Sequence, residues 1–221
     1  MRKVTVMDLG GLPISSFTPE DEREELMAVF AAAVYERGLA PTCLAEVARR
    51  AGVPLEQVKR YWPTPIDCLL DTVAASTRQL FGRVAAAFME AGGDGALALH
   101  RALGAMLYDL VAAPEMTYLS FVELPRLGPL VYERQDRTLD LFCELLTSGF
   151  AALDEPPPSS EIVSVCVGGG LWETVYRHAV QRTLHELPEG LAAISYVCVS
   201  TFFGVDEAVR VSALPRVGGG S

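Results

Sequence analysis

The chain has 221 residues, is 50% hydrophobic and 21% charged, and carries a net charge of −10. That much apolar side chain supports one large core, or a small domain joined to a larger one, and excludes wholesale disorder. No apolar run reaches the roughly 18 to 20 residues of a membrane span, and a mean hydropathy of +0.26 fits long, well-buried helices.

Residues 1 to 17 contain Gly10, Gly11 and Pro13 and read as an extended or poorly ordered arm, with apolar runs too short for a secretory signal. Thr18, Pro19 and the acids at 20 and 21 then make a helix cap, a proline at the first helical position and a capping acid. The helix they open runs to about Arg37 on the stripe Leu26, Val29, Phe30, Ala33, Val34, and Gly38 ends it. Asp21, Glu22, Glu24 and Glu25 suit its dipole and read as a solvated helix start.

The stretch from Thr42 to Trp62 organises the chain. Leu44, Val47, Ala48 and Ala51 recur at the spacing of one buried helix face, Gly52 supplies a tight turn, and Pro54 favours a new start. Val58, Tyr61 and Trp62 make the next buried stripe, which leaves Leu55, Glu56, Gln57, Lys59 and Arg60 outward. Two short helices joined this way form a helix-turn-helix, whose second helix can enter a DNA major groove. Arg49, Arg50, Lys59 and Arg60 outnumber Glu46 and Glu56, so the segment is net positive in an acidic chain. Gln57 can pair bidentately with adenine, and Lys59 and Arg60 suit phosphate or guanine.

Thr64, Pro65 and Asp67 repeat the cap, proline and capping acid, and predict a helix from Pro65 to about Glu90. After a turn at 91 to 95 come a helix over 96 to 112, a short one from Pro114 through Val122, and a long one over about Leu130 to Phe150. Pro156, Pro157 and Pro158 make 154 to 160 a linker. A helix over about Glu161 to Leu187 follows, carrying Gly168, Gly169 and Gly170 in its middle; a close approach by another helix, or a kink beside a cavity, would offset their cost of roughly 0.5 to 1 kcal/mol each. Pro188 to Phe203 predicts a last long helix, too apolar for a solvated surface, and residues 206 to 210 a short turn before a flexible tail at 215 to 221.

The run from Leu26 to Val73, with its Phe30 to Gly38 helix end, the Val47, Ala48, Ala51, Gly52, Val53 core and the Trp62, Pro63 turn, resembles the TetR family of transcriptional regulators. Gly169, Gly170, Leu171, Trp172 and the later Leu187, Pro188, Glu189 are similar to a C-terminal pattern found in many members. The resemblance implies an all-α fold: a helix-turn-helix head at 18 to 63 and a larger helical ligand-binding and dimerisation domain at 64 to 214. It also implies a cytoplasmic homodimer, joined through the last two long helices, that binds a near-palindromic double-stranded operator. As a repressor it would be released by a small apolar or aromatic effector.

On that resemblance the DNA-binding candidates are Thr42, Cys43, Pro54, Leu55, Glu56, Gln57, Lys59, Arg60 and Tyr61. The effector-pocket candidates are His100, Tyr108, Tyr118, Phe121, Trp172, Tyr176 and His178. The sequence departs from the family where Cys43 replaces a capping hydroxyl, so that either Thr42 shifts into the cap role or the helix end is weaker by roughly 0.5 to 2 kcal/mol, and where Lys59 and Pro65 replace a usual tyrosine and lysine. Together with Glu56 and the acidic first helix, these departures favour a second reading, a dimeric small-molecule or protein-binding module with weak or lost DNA binding.

Enzyme chemistry is not expected. His100, His178 and His185 sit in no metal-site spacing, and Gly168 to Gly170 follow no strand and lack a nucleotide-loop pattern, so neither metal nor cofactor is predicted. Cysteines 43, 68, 143, 166 and 198 are odd in number and widely spaced, and read as reduced core residues.

Overall fold

A buried face recurs every three or four residues through nearly all of the chain, and helices packed on one another are its structural outcome. The computed structural model describes residues 19–40, 42–128, 150 and 161–214; the predicted arm at 1 to 17, the body of the helix from Leu130, the linker at 154 to 160 and the tail lie outside them. Every regular element among the described residues is helical.

Three helices, α1 (Pro19–Arg37), α2 (Leu44–Ala51) and α3 (Leu55–Tyr61), enclose a first core of Phe30, Val34, Val47, Val58 and Trp62. The next helix, α4 (Pro65–Met89), starts on a complete capping box, in which the Thr64 hydroxyl accepts from the Asp67 backbone and the Asp67 carboxylate accepts from the Thr64 backbone. Cys68, Leu69 and Val73 of α4, with Leu119 and Leu124, complete the first core. The head's core thus continues past residue 63, and α4 carries it without a break into the second core.

The second core gathers α5 (Gly95–Ala112), capped by Asp94, with α6 (Pro114–Tyr118), α7 (Glu161–Gln181), α8 (Leu191–Phe203) and α9 (Val205–Ser212). The short helix from Pro114 does not stay α-helical through Val122: it widens into a π turn at Leu119–Glu123 and tightens at Pro125–Leu127. At the chain's end the expected turn is a helix, α9, held to the start of α5 by Arg210 and Asp94 at 2.8 Å.

The helix expected to reach Leu187 stops at Gln181, and the one expected from Pro188 starts at Leu191, with a 3-10 turn holding Pro188 between them. Arg182 takes a left-handed backbone at φ +61, which costs a residue with a Cβ roughly 1 to 2 kcal/mol. Its guanidinium offsets that cost. It lies 3.7 Å from the Tyr35 ring centroid and 4.1 Å from that of Tyr118, and donates to the Tyr35 carbonyl at 2.7 Å. The end of α7 is thereby tied to α1 and α6.

Two of the cysteines read as core residues are at the surface. Cys43 and Cys166 are exposed, while burial pushes the Cys68 and Cys198 thiols up to about 12 and leaves them unreactive. All four are free, and Cys143 lies outside the described residues. No single helix among the described residues is long and apolar enough to cross a membrane.

His100 is 2% exposed on α5 and shares a 2.9 Å hydrogen bond with Ser195 of α8, while its Nε2 has no hydrogen-bond partner. Burial, and then the neighbouring charge of Arg101, lower its pKa below 6.5. Below pH 6.5 the unfolded chain takes up a proton that the folded chain resists, so stability is complete above that pH and falls as pH drops through the folded pKa. Denaturant titrations at pH 7.5 and 5.5 should show the wild type losing stability on acidification and His100→Asn losing less. Equal losses in the two proteins would assign the effect to other groups.

Candidate nucleic-acid interface and effector cavity

The turn between α2 and α3 is set by Gly52 at φ +70, ψ 24, whose backbone N–H closes on the Ala48 carbonyl, as does that of Val53. With Leu44, Val47 and Ala48 buried behind the turn, α3 seats Val58 inside and presents Glu56, Lys59 and Arg60 to solvent. Pro54 is exposed at the N-cap of α3, and Leu55, Gln57 and Tyr61 are half-buried at the edges of the same face.

Thr42 does not take the cap of α2. It is buried and its hydroxyl donates back to the Gly38 carbonyl at 2.8 Å, while Cys43 occupies the N-cap without a side-chain bond. Thr42 lies one residue too early and its side chain closes the preceding turn instead.

Much of the positive charge of α2 is engaged within the chain. Glu46 takes hydrogen bonds from Arg49 and Arg50, which pull its carboxyl down to about 2, and Arg50 also reaches Glu36 at 2.8 Å. On α3, Lys59 lies 3.6 Å from Glu56, and Arg60 has no ion pair among the described residues. The start of α1 is not simply solvated: Gln57 Nε2 donates to Glu22 Oε1 at 2.7 Å, and the Tyr61 phenol, raised in pKa first by burial and then by the charge of Glu22, bonds the same carboxylate. Behind the face, Trp62 Nε1 donates to Asp71 Oδ2 at 2.7 Å, and Arg23 pairs with that carboxylate.

A cavity of about 100 Å³ opens between α4, α5, the π turn and α7. Its α4 wall is one helix face, from Val73 through Thr77 and Leu80 to Val84, about 16 Å long at 1.5 Å per residue. Phe121 and Trp172 line the opposite side with ring centroids 4.3 Å apart. Asp109 is the one charged side chain among the described lining residues, and Arg83 neutralises it at 2.8 Å.

Of the residues singled out for this pocket, Phe121 and Trp172 line the cavity. The others stand elsewhere: His100 against Ser195, Tyr118 under Arg182, Tyr108 half-buried off the lining, Tyr176 on the exposed face of α7, and His178 bonded to Thr183 at 2.8 Å. The missed wall is aliphatic, with Val73, Leu80, Met106 and Leu171 among its members. Its signal was the i, i+3, i+4, i+7 pattern on α4. Among the described residues no group of His, Cys, Asp or Glu could hold a metal ion.

No protein-family model matches the sequence, and no curated protein is significantly similar to it. Solved structures are similar in fold. The fatty acid degradation regulator FadR from Bacillus halodurans aligns at TM-score 0.69 and 17% identity, over 86% of this chain and 97% of its own. A TetR family transcription regulator from Marinobacter aquaeolei VT8 aligns at 0.63 and 14% identity, over 83% and 96%. A γ-butyrolactone receptor described as ArpA-like aligns at 0.61 and 20% identity, over 87% and 97%. Each alignment spans more than four-fifths of this chain, and the chain has the fold of the TetR family of transcription regulators.

Proposed function

We propose that the chain is a homodimeric, ligand-responsive transcription regulator, acting as a repressor that a small apolar molecule releases from a near-palindromic operator, and not as an enzyme. The observation that carries this reading is the outward face of α3, with Lys59 and Arg60 at its tip, fastened through Trp62 to a helix that also walls a cavity. Thr42, Cys43, Pro54 to Gln57 and Lys59 to Tyr61 border the surface that a major groove would meet.

The proposed route from ligand to head is short. Asp71 holds Trp62, and Val73 lines the cavity on the same helix, so an occupant that displaces this part of α4 moves α3 with it. Such an occupant shifts the dimer between two head spacings only through its difference in affinity for them. A neutral, elongated molecule suits the mostly apolar 16 Å wall and the balanced Arg83–Asp109 pair. Two similar structures are described by a fatty acid degradation role and by a γ-butyrolactone, in keeping with such an effector.

Dimerisation is assigned to the outward faces of α7 and α8. Ile162, Val165, Val180, Tyr196 and Val197 are exposed there, and a Cβ placed on Gly169 or Gly170 would meet nothing within 4 Å of its own chain. A partner helix in close approach accounts for both features.

The second reading, a sensor with weak or lost DNA binding, is favoured by the pairing of Arg49, Arg50 and Lys59 with acids of the head itself. A gel-shift series with genomic fragments across a salt range separates the two. The regulator retains specific fragments at physiological salt, and replacing Lys59 and Arg60 by Ala lowers the log–log salt slope by about 1.8, the value for two lost phosphate contacts. An unchanged slope removes those residues from the interface, and no retained fragment favours the sensor.

A further inference from the structure

The contact between α1 and α3 sets an acid against the very side chains that would read a base. To pair with adenine, Gln57 must offer its amide nitrogen to N7 and its oxygen to the N6 amine. In the head that nitrogen is already committed to Glu22 at 2.7 Å, and the Tyr61 phenol is bonded to the same carboxylate. Glu22 therefore belongs to the recognition surface although it sits on a different helix. A phosphate approaching α3 beside Gln57 would meet its negative charge.

We infer that Glu22 is a specificity-setting residue of the head: it latches Gln57 and Tyr61 and repels the duplex backbone, so that the head prefers a sequence offering Gln57 a replacement partner and holds other duplexes weakly. The inference rests on the DNA-binding reading above. The latch works by difference. On a random sequence, freeing Gln57 from a carboxylate breaks a charge-assisted hydrogen bond and nothing equivalent replaces it, whereas a correctly placed adenine supplies both a donor and an acceptor. The Glu22 charge acts on any duplex, and its effect weakens as salt screens it.

The test uses the full-length chain and a fluorescent duplex of random sequence. Glu22→Gln keeps the side chain's shape, so the head stays packed, while it removes the charge and reduces the charge-assisted bond from Gln57 to a weaker neutral one; Glu24→Gln removes the same charge from an exposed position on α1. At low salt E22Q should bind the random duplex about tenfold more tightly than wild type, with a salt slope steeper by about 0.9, and E24Q should differ from wild type by less than about twofold. Wild-type affinity in E22Q, or equal tightening in E24Q, overturns the latch and leaves the DNA-binding reading standing. If none of the three proteins binds the duplex at low salt, the DNA-binding reading falls and the latch falls with it.

Discussion

Val197→Glu should leave a folded monomer and reduce specific DNA binding by about 100-fold or more. Val197 is 61% exposed on α8 in the single subunit, so the substitution disturbs no packing there and should alter subunit stability by no more than about 0.5 kcal/mol. In the proposed dimer the same position belongs to the interface assigned to α7 and α8, together with Val165 and the open surface of Gly169 and Gly170. Two-fold symmetry introduces the carboxylate twice, and burying an unpaired charge costs several kcal/mol per ion. A tenfold change in affinity corresponds to about 1.4 kcal/mol, so this cost abolishes a dimer of ordinary strength. A monomer then holds only one half-site. Light scattering and a gel shift on the same preparation provide the check. A V197E protein that stays dimeric moves the interface off α7 and α8.

The parts legible in the sequence were those whose causes are local. Gly52, Val53 and Pro54 specify a turn within three residues, and Thr64, Pro65 and Asp67 specify a helix start in four, so both stand where the pattern puts them. Local rules failed where a distant partner decided the outcome. Arg182 breaks α7 because Tyr35 and Tyr118, far away in the chain, stack on its guanidinium. His100 and Tyr176 looked equally suited to a pocket, yet His100 meets Ser195 in the core and Tyr176 faces outward, because composition names a residue type and not the side of the helix it occupies. The cavity wall is illegible in the sequence for the converse reason. Val73, Leu80 and Val84 form an ordinary apolar stripe, and only the placement of α5 and α7 leaves part of that stripe uncovered.

Trp62→Ala should cost about 3 to 5 kcal/mol, the range for emptying a buried tryptophan site, and the loss should fall on the head. Trp62 is 2% exposed in the first core, beside Val58 and Leu69, and its indole N–H is the link from α3 to Asp71 on α4. Total stability for a chain of this kind is about 5 to 15 kcal/mol, so the deletion removes a large share of what holds α1 to α3 in place. Thermal melting followed by circular dichroism should then show an early loss of helix from the head, ahead of the second core. A single transition at the wild-type temperature would mean that the first core does not depend on Trp62. Trp62→Phe separates the residue's two roles in large part, because it keeps a ring in the core and deletes the hydrogen bond, at about 1.5 kcal/mol or somewhat less for a partly exposed partner, with a smaller cavity cost than the alanine variant. In that variant Asp71 keeps Arg23 but no longer holds α3. The head should stay folded while α3 loses its tie to the helix that walls the cavity. Hydrogen exchange should therefore quicken in α3 of W62F and remain unchanged in α7. Equal protection of α3 in the two proteins would shift the coupling to another link between head and bundle, such as the Arg182 clamp on Tyr35.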